Sequence, residues 1–226
     1  MFMLSQLTGF NVNSSSASFA VTAIATNNVG SSSTTLALTT TVDVAAGSLI
    51  VVVAGNSSSN NISSVTDSAG NTYAVDVSAT GTIRGGIASA PNCVALSSGS
   101  TITITFAAAS SNRVGLAAGI TGVATSAIDK TASATGTSTT PSSGSTATTT
   151  KADEIAIGMV CYDRNANPTF TEDALYTTID SVIGGANVDR LNFAYQVLTS
   201  TGTPSYAPTQ GASKQWSCAI ATYKAR

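Results

Sequence analysis

Apolar and polar residues alternate along much of this chain. Ile102, Ile104 and Phe106 are interleaved with Thr101, Thr103 and Thr105. Successive side chains of a β-strand point to opposite faces, so this spacing predicts a strand with one buried and one hydrated face. The same period recurs in Leu36, Leu38, Thr40, Val42 and Val44, and in Val114, Leu116, Ala118 and Ile120. It returns in Ile155, Ile157, Met159 and Cys161, in Leu191, Phe193, Tyr195 and Val197, and in Trp216, Cys218 and Ile220. The run Leu49-Ile50-Val51-Val52-Val53 is apolar at every position, which predicts a central strand covered on both sides. No stretch sustains the i, i+3, i+4 apolar spacing of an amphipathic helix.

Ser, Gly, Asn and Pro clusters separate these rows, as turns require. In Asp67-Ser68-Ala69-Gly70-Asn71 the aspartate opens a turn and Gly70 supplies positive φ, so the flanking strands are expected to pair as a hairpin. Residues 126–150 are rich in Thr, Ser and Gly and read as two short edge strands around Thr140-Pro141-Ser142-Ser143-Gly144 rather than as a linker. A faint repeat spans the chain. Thr39-Thr40-Thr41 leads into Leu49-Ile50-Val51-Val52-Val53, as Thr148-Thr149-Thr150 leads into the row from Ile155. Strands around Arg84 and Arg190 follow, and the rows from Val114 and from Trp216 close each half. The expected fold is all-β, a two-sheet antiparallel sandwich of jelly-roll type with a faint internal two-fold repeat. Residues 1–20 read as an N-terminal apolar arm and 21–226 as the β-sandwich domain. In the arm, Phe2, Leu4, Leu7 and Phe10 either tuck onto the sandwich or anchor it to a neighbour.

Composition narrows the function. Only 9% of the 226 residues are charged, the net charge is −2, and the basic residues are scattered. Nucleic-acid binding needs a basic footprint, so DNA and RNA are discounted as partners, as is an anionic membrane surface. The N-terminal stretch lacks a positive segment followed by an apolar run, and is not read as a secretory signal. No stretch reaches the roughly 20 apolar residues of a membrane-spanning helix. Assembly in a host cytoplasm is therefore expected, with a bacterial cell surface as the alternative.

Chemistry is sparse. The chain has no histidine, which removes Ser–His–Asp, Cys–His and His-base mechanisms. The adjacent acids Asp153–Glu154 and Glu172–Asp173 point to opposite faces of a strand, so neither makes a glycosidase pair by being neighbours. No catalytic residue and no cofactor is expected. Asp67, Asn71 and Asp76 are weak calcium candidates, read first as turn residues. Cys93, Cys161 and Cys218 read as buried free thiols, with one disulfide as the alternative. Trp216 reads as core. Tyr162, Tyr176, Tyr206 and Tyr223 are less constrained, and an exposed cluster of them is a candidate glycan or protein contact.

The segments Ala46-Gly47-Ser48-Leu49-Ile50-Val51-Val52-Val53 and Ser64-Val65-Thr66-Asp67-Ser68-Ala69-Gly70-Asn71-Thr72-Tyr73 resemble a jelly-roll type found in bacterial surface proteins and phage virion proteins. Residues 135–144, followed by Ala152-Asp153-Glu154-Ile155-Ala156-Ile157-Gly158, are similar too. The resemblance runs from Val21 to the C-terminus and implies a fold more than a function. Joined to the charge-poor surface and the apolar arm, it implies a non-enzymatic virion protein, a capsid decoration (cement) or other head or tail surface component. Its partners would be the major capsid or tail protein and itself, as a homo-trimer. The alternatives are a carbohydrate-binding or adhesive surface module and a self-assembling extracellular fibre subunit.

Overall fold

The computed structural model describes residues 18–58, 60–163, 169–183 and 189–226. Among them lie fifteen β-strands and no helix. The first eight are β1 (Ala20–Val29), β2 (Ser33–Thr39), β3 (Leu49–Asn56), β4 (Ile62–Asp67), β5 (Ala74–Ala79), β6 (Arg84–Ala90), β7 (Thr101–Ser110) and β8 (Arg113–Thr121). The rest are β9 (Val123–Ser138), β10 (Asp153–Tyr162), β11 (Phe170–Thr171), β12 (Thr177–Ile183), β13 (Arg190–Thr199), β14 (Thr209–Gln210) and β15 (Lys214–Ala225). All pairings are antiparallel.

Two five-stranded sheets form the body, in the orders β1-β8-β3-β6-β5 and β12-β13-β10-β15-β9. Their facing sides make one apolar core. Leu49, Val51 and Val53 of β3 and Leu116 of β8 share it with Ile155, Ile157 and Met159 of β10, Phe193 of β13 and Tyr223 of β15. The other side of the first sheet carries Ile50, Val52 and Ala54, packed with Leu36, Leu38, Ile102, Ile104 and Phe106 of the three-stranded sheet β2-β7-β4. The outer side of the second sheet carries Ala156, Val160 and Ile220, packed with Tyr162, Tyr206 and Trp216. Beside that cluster lies the two-stranded sheet β11-β14.

The arrangement therefore has more than the two layers expected, because β3 and β10 are buried on both faces. Every residue of β3 is buried, and its apolar run needs cover on each side. The hairpin expected at Asp67–Asn71 does not form. The turn is there, with Gly70 at φ 77°, but β4 pairs with β7 and β5 with β6, so the chain crosses between sheets. In place of two short edge strands, β9 runs unbroken for 16 residues along the edge of the second sheet. The row from Leu36 ends at Thr39, and Val42 is exposed beyond it.

The two large sheets approach closely where side chains are missing. A Cβ on Gly55 of β3 would sit 2.5 Å from Cys161 Sγ and 3.0 Å from the Arg84 carbonyl oxygen. Gly55→Val should therefore force the sheets apart and cost about 1–3 kcal/mol, read as a lower urea midpoint at unchanged slope.

Candidate functional site

Phe2, Leu4, Leu7 and Phe10 lie outside the described residues. The four tyrosines do not form an exposed cluster, which corrects the surface role expected for them. Tyr162, Tyr206 and Tyr223 have no exposed surface and Tyr176 is buried. Tyr162 stacks on Phe170 at 5.9 Å, and Arg190 lies over the same Phe170 ring at 5.4 Å. Tyr176 and Tyr206 pack with ring centroids 4.8 Å apart.

Each ring with an assigned hydroxyl partner hides its polar tip. Tyr206 Oη donates to Glu172 at 2.7 Å, Tyr176 Oη to the Ser205 carbonyl at 3.1 Å, and Tyr223 Oη to Asp76 at 2.6 Å. Burial raises the hydroxyl pKa values of Tyr206 and Tyr223, and the neighbouring carboxylates raise them further. One of these placements was readable, because Tyr223 continues the inward row of Ala219 and Ala221.

Of the calcium candidates, Asp67 and Asn71 meet in one turn, while Asp76 is bound elsewhere. Asp67 is the hub of its own turn, accepting from Ala69 N at 2.9 Å, Asn71 N at 3.1 Å, Asn71 Nδ2 at 2.9 Å and Tyr73 Oη at 2.9 Å. Burial raises its pKa, but these hydrogen bonds together pull it below the usual range. Asp76 lies on β5 and is bound to Tyr223 instead; burial raises its pKa against that hydrogen bond. Among the described residues no three His, Cys, Asp or Glu side chains group as a metal would require. The three cysteines are free and buried.

The acids cluster in ways the sequence did not reveal. At the end of the second sheet, Asp129 Oδ2 accepts from Thr150 N at 2.6 Å and its Oδ1 from Thr150 Oγ1 at 2.7 Å, with Lys130 at 3.3 Å. Although desolvation works the other way, these donors and Glu154 bring its pKa down to about 2. Glu154 is fully buried beside it, and desolvation, then the Asp129 charge, raise its pKa. Asp189, at 2% exposure, is pushed up to about 7, first by desolvation and then by the Asp163 charge. Arg113 is also buried, and its guanidinium donates to the carbonyls of Thr35 and Ser31. Glu154 carried a faint signal, since it shares strand parity with the buried Ala156 and Val160. Arg113 and Asp189 carried none, because each lies where a strand begins.

Compared with protein-family models, curated proteins and solved structures, the chain matches none.

The described residues line several surface hollows. One of about 200 Å³ is lined by Gly81, Thr82, Thr135, Thr137, Gln215 and Trp216. Another, of about 320 Å³, opens between Asp173, Leu175, Gln196, Leu198, Ser200 and Pro204. The acids near the larger hollow are already bound. Asp173 accepts from Leu175 N at 3.0 Å and Ala207 N at 2.9 Å, while Glu172 accepts from Tyr206 and from Thr178 Oγ1 at 2.9 Å. These hydrogen bonds tie Glu172 to β12 and to Tyr206, and Asp173 to the backbone of Leu175 and Ala207.

Proposed function

We propose that this chain is a non-enzymatic structural protein of a phage particle, a capsid decoration (cement) or other head or tail surface component that binds assembled subunits. The observation that carries the reading is the division between inside and outside. Tyrosines, the buried arginine and several of the acids serve as internal supports, while the outer strands present mainly Thr, Ser and Ala. Such a skin holds few counterions, so contacts made through it depend on shape and hydrogen bonding more than on salt.

The reading includes a two-unit build, each unit of jelly-roll type. The large sheets run β1-β8-β3-β6-β5 and, from the opposite edge, β9-β15-β10-β13-β12. Matching β1 with β9, β3 with β10, β5 with β12, β6 with β13 and β8 with β15 turns one order into the other. The contacts between sheets follow the same exchange. β1 meets β12 as β5 meets β9, β8 meets β12 as β15 meets β5, and β3 meets β10 at the centre. An approximate two-fold axis between β3 and β10 accounts for all of these. In the first unit β2 lies beside β7. In the second, residues 143–149 take that place beside 202–206, through Ser143 N to Tyr206 O at 2.9 Å, Thr146 N to Pro204 O at 3.0 Å and Thr149 N to Gly202 O at 2.8 Å.

A protein that binds only the assembled lattice stabilises it by mass action, by about 2.7 kcal/mol at a free concentration one hundred times Kd. The apolar arm is the proposed anchor to the major capsid or tail protein, and self-association as a trimer is the proposed symmetry. Deleting residues 1–12 should abolish incorporation into particles while leaving a folded domain with an unchanged melting transition. A truncated chain that decorates particles normally would refute the anchor.

A second reading, a carbohydrate-binding or adhesive module, is favoured by the 320 Å³ hollow, where Leu175 is 69% exposed beside Gln196 and Ser200. Selective binding on a glycan array, lost in Gln196→Ala, would support it. Uniformly flat binding would count against it.

A further inference from the structure

The outer edge of β9 stands apart from the other sheet edges. An edge strand presents unpaired backbone N–H and C=O groups, and proteins guard them with bulges, charges, prolines or covering groups. β5 has a bulge between Val75 and Val77 that contains Asp76. β12 has one between Thr178 and Asp180. β1 has one between Ala23 and Ala25, and its Ile24 carbonyl accepts from Thr41 N at 2.8 Å. On β2, the carbonyls of Thr35 and Ala37 are taken by Arg113 and by Asn27 Nδ2. The short β4 is bulged between Ile62 and Ser64.

None of these devices guards Thr131-Ala132-Ser133-Ala134-Thr135-Gly136-Thr137; covering begins at Ser138, whose carbonyl accepts from Gln210 Nε2 at 2.7 Å. Its register with β15 is continuous from Ser138 to Thr131, and the irregularities of β9 fall only nearer its start. The seven residues include no charge and no proline, and each is at least partly exposed. In an antiparallel ladder every second residue turns its N–H and C=O away from the neighbouring strand. Seven straight residues thus offer a row of donors and acceptors beyond β15. The side chains along it are small; Gly81 lies against Thr135 and the Trp216 ring against Gly136.

We propose that this edge is a self-association surface, on which β9 of a second copy pairs antiparallel across a two-fold axis to make one continuous ten-stranded sheet. The occupant is a second copy because an antiparallel strand is its own complement. The identical segment supplies the same hydrogen-bond spacing, the same small side chains and no opposing charge. The inference does not rest on the virion reading. It asks only what the free edge pairs with, and it sets a dimeric contact beside the trimer proposed above.

The test is native mass spectrometry and sedimentation of the purified full chain, with amide exchange across residues 131–138. Dimers are expected, with those amides slowed as concentration rises. Thr131→Lys with Thr137→Lys puts cations on two exposed positions, placed symmetrically about Ala134. It should weaken self-association at least about tenfold with an unchanged melting transition. The matching pair Thr131→Asp and Thr137→Asp should behave likewise alone, and a mixture of the two variants should restore a heterodimer. A chain that stays monomeric, or a dimer insensitive to both substitutions, would overturn the proposal. So would slowed exchange confined to another edge. None of these results depends on whether the chain binds particles.

Discussion

Tyr206→Ala is expected to lower the unfolding free energy by about 4 kcal/mol, while Tyr206→Phe costs only about 1.5 kcal/mol. The ring has no exposed surface and lies flat on Gly158 of β10, where a Cβ would collide with it. It packs at 4.8 Å on Tyr176, and its backbone N–H donates to Ser143 Oγ at 2.9 Å. Truncation leaves a cavity the size of a ring between the second sheet and the segment covering it, and the neighbours are strand backbone that cannot collapse into it. The phenylalanine variant keeps the packing and loses one hydrogen bond to Glu172, so its smaller cost isolates the hydroxyl. Urea unfolding of the two variants checks this. A tyrosine serving as a surface contact would give the opposite pattern, with wild-type stability and impaired binding for both.

The second large effect is a pH-dependent one at Asp189. Its carboxyl is buried and its pKa raised to about 7. The folded state therefore holds a proton that the unfolded chain releases near pH 4. The stabilisation is complete below that value, declines as pH rises towards 7, and is gone above it. The span corresponds to about 4 kcal/mol. Asp189→Asn keeps the shape and cannot ionise, so it should match the wild type near pH 4 and exceed it by about 4 kcal/mol at pH 8. Glu154 and Asp76 are shifted in the same direction, while Asp129 and Asp67 are shifted downward and act below pH 4. The wild-type profile sums all five, and the difference between variant and wild type isolates one. A constant difference at every pH would show that Asp189 ionises as freely in the folded protein as in the unfolded one.

The local rows of the sequence were legible because burial on a strand has period two. Ile102, Ile104 and Phe106 are the inward side of β7, and the row from Val114 is the inward side of β8. The uniformly apolar run at Leu49 lies in β3, the middle strand of its sheet, as such a run requires. Trp216, Cys161 and Cys218 are interior, in keeping with their neighbours in the rows. Pairing was much less legible. The chemistry at Asp67–Asn71 specifies a turn, but the same turn serves a hairpin or a crossing between sheets, and only the distant partners β7 and β6 decide which. β9 was hidden for a different reason. Its alternation is of Thr and Ser with Ala and Gly, so neither face shows the large apolar side chains that announce a strand.

The buried polar groups were the least legible. Asp129, Thr150 and Glu154 are gathered by the second sheet and the segment leading into β10, and no spacing in the chain foretells that meeting. The tyrosines show how an amphipathic residue misleads. A hydroxyl suggests the surface, yet Glu172, Asp76 and the Ser205 carbonyl supply partners inside.

The most direct measurement is an electron cryomicroscopy reconstruction of particles assembled in the presence of this chain, compared with particles assembled without it. Regular extra density of two stacked β units on the outer face of the shell or tail is the outcome predicted here. Identical reconstructions, with the chain recovered only in the unassembled fraction, would contradict it.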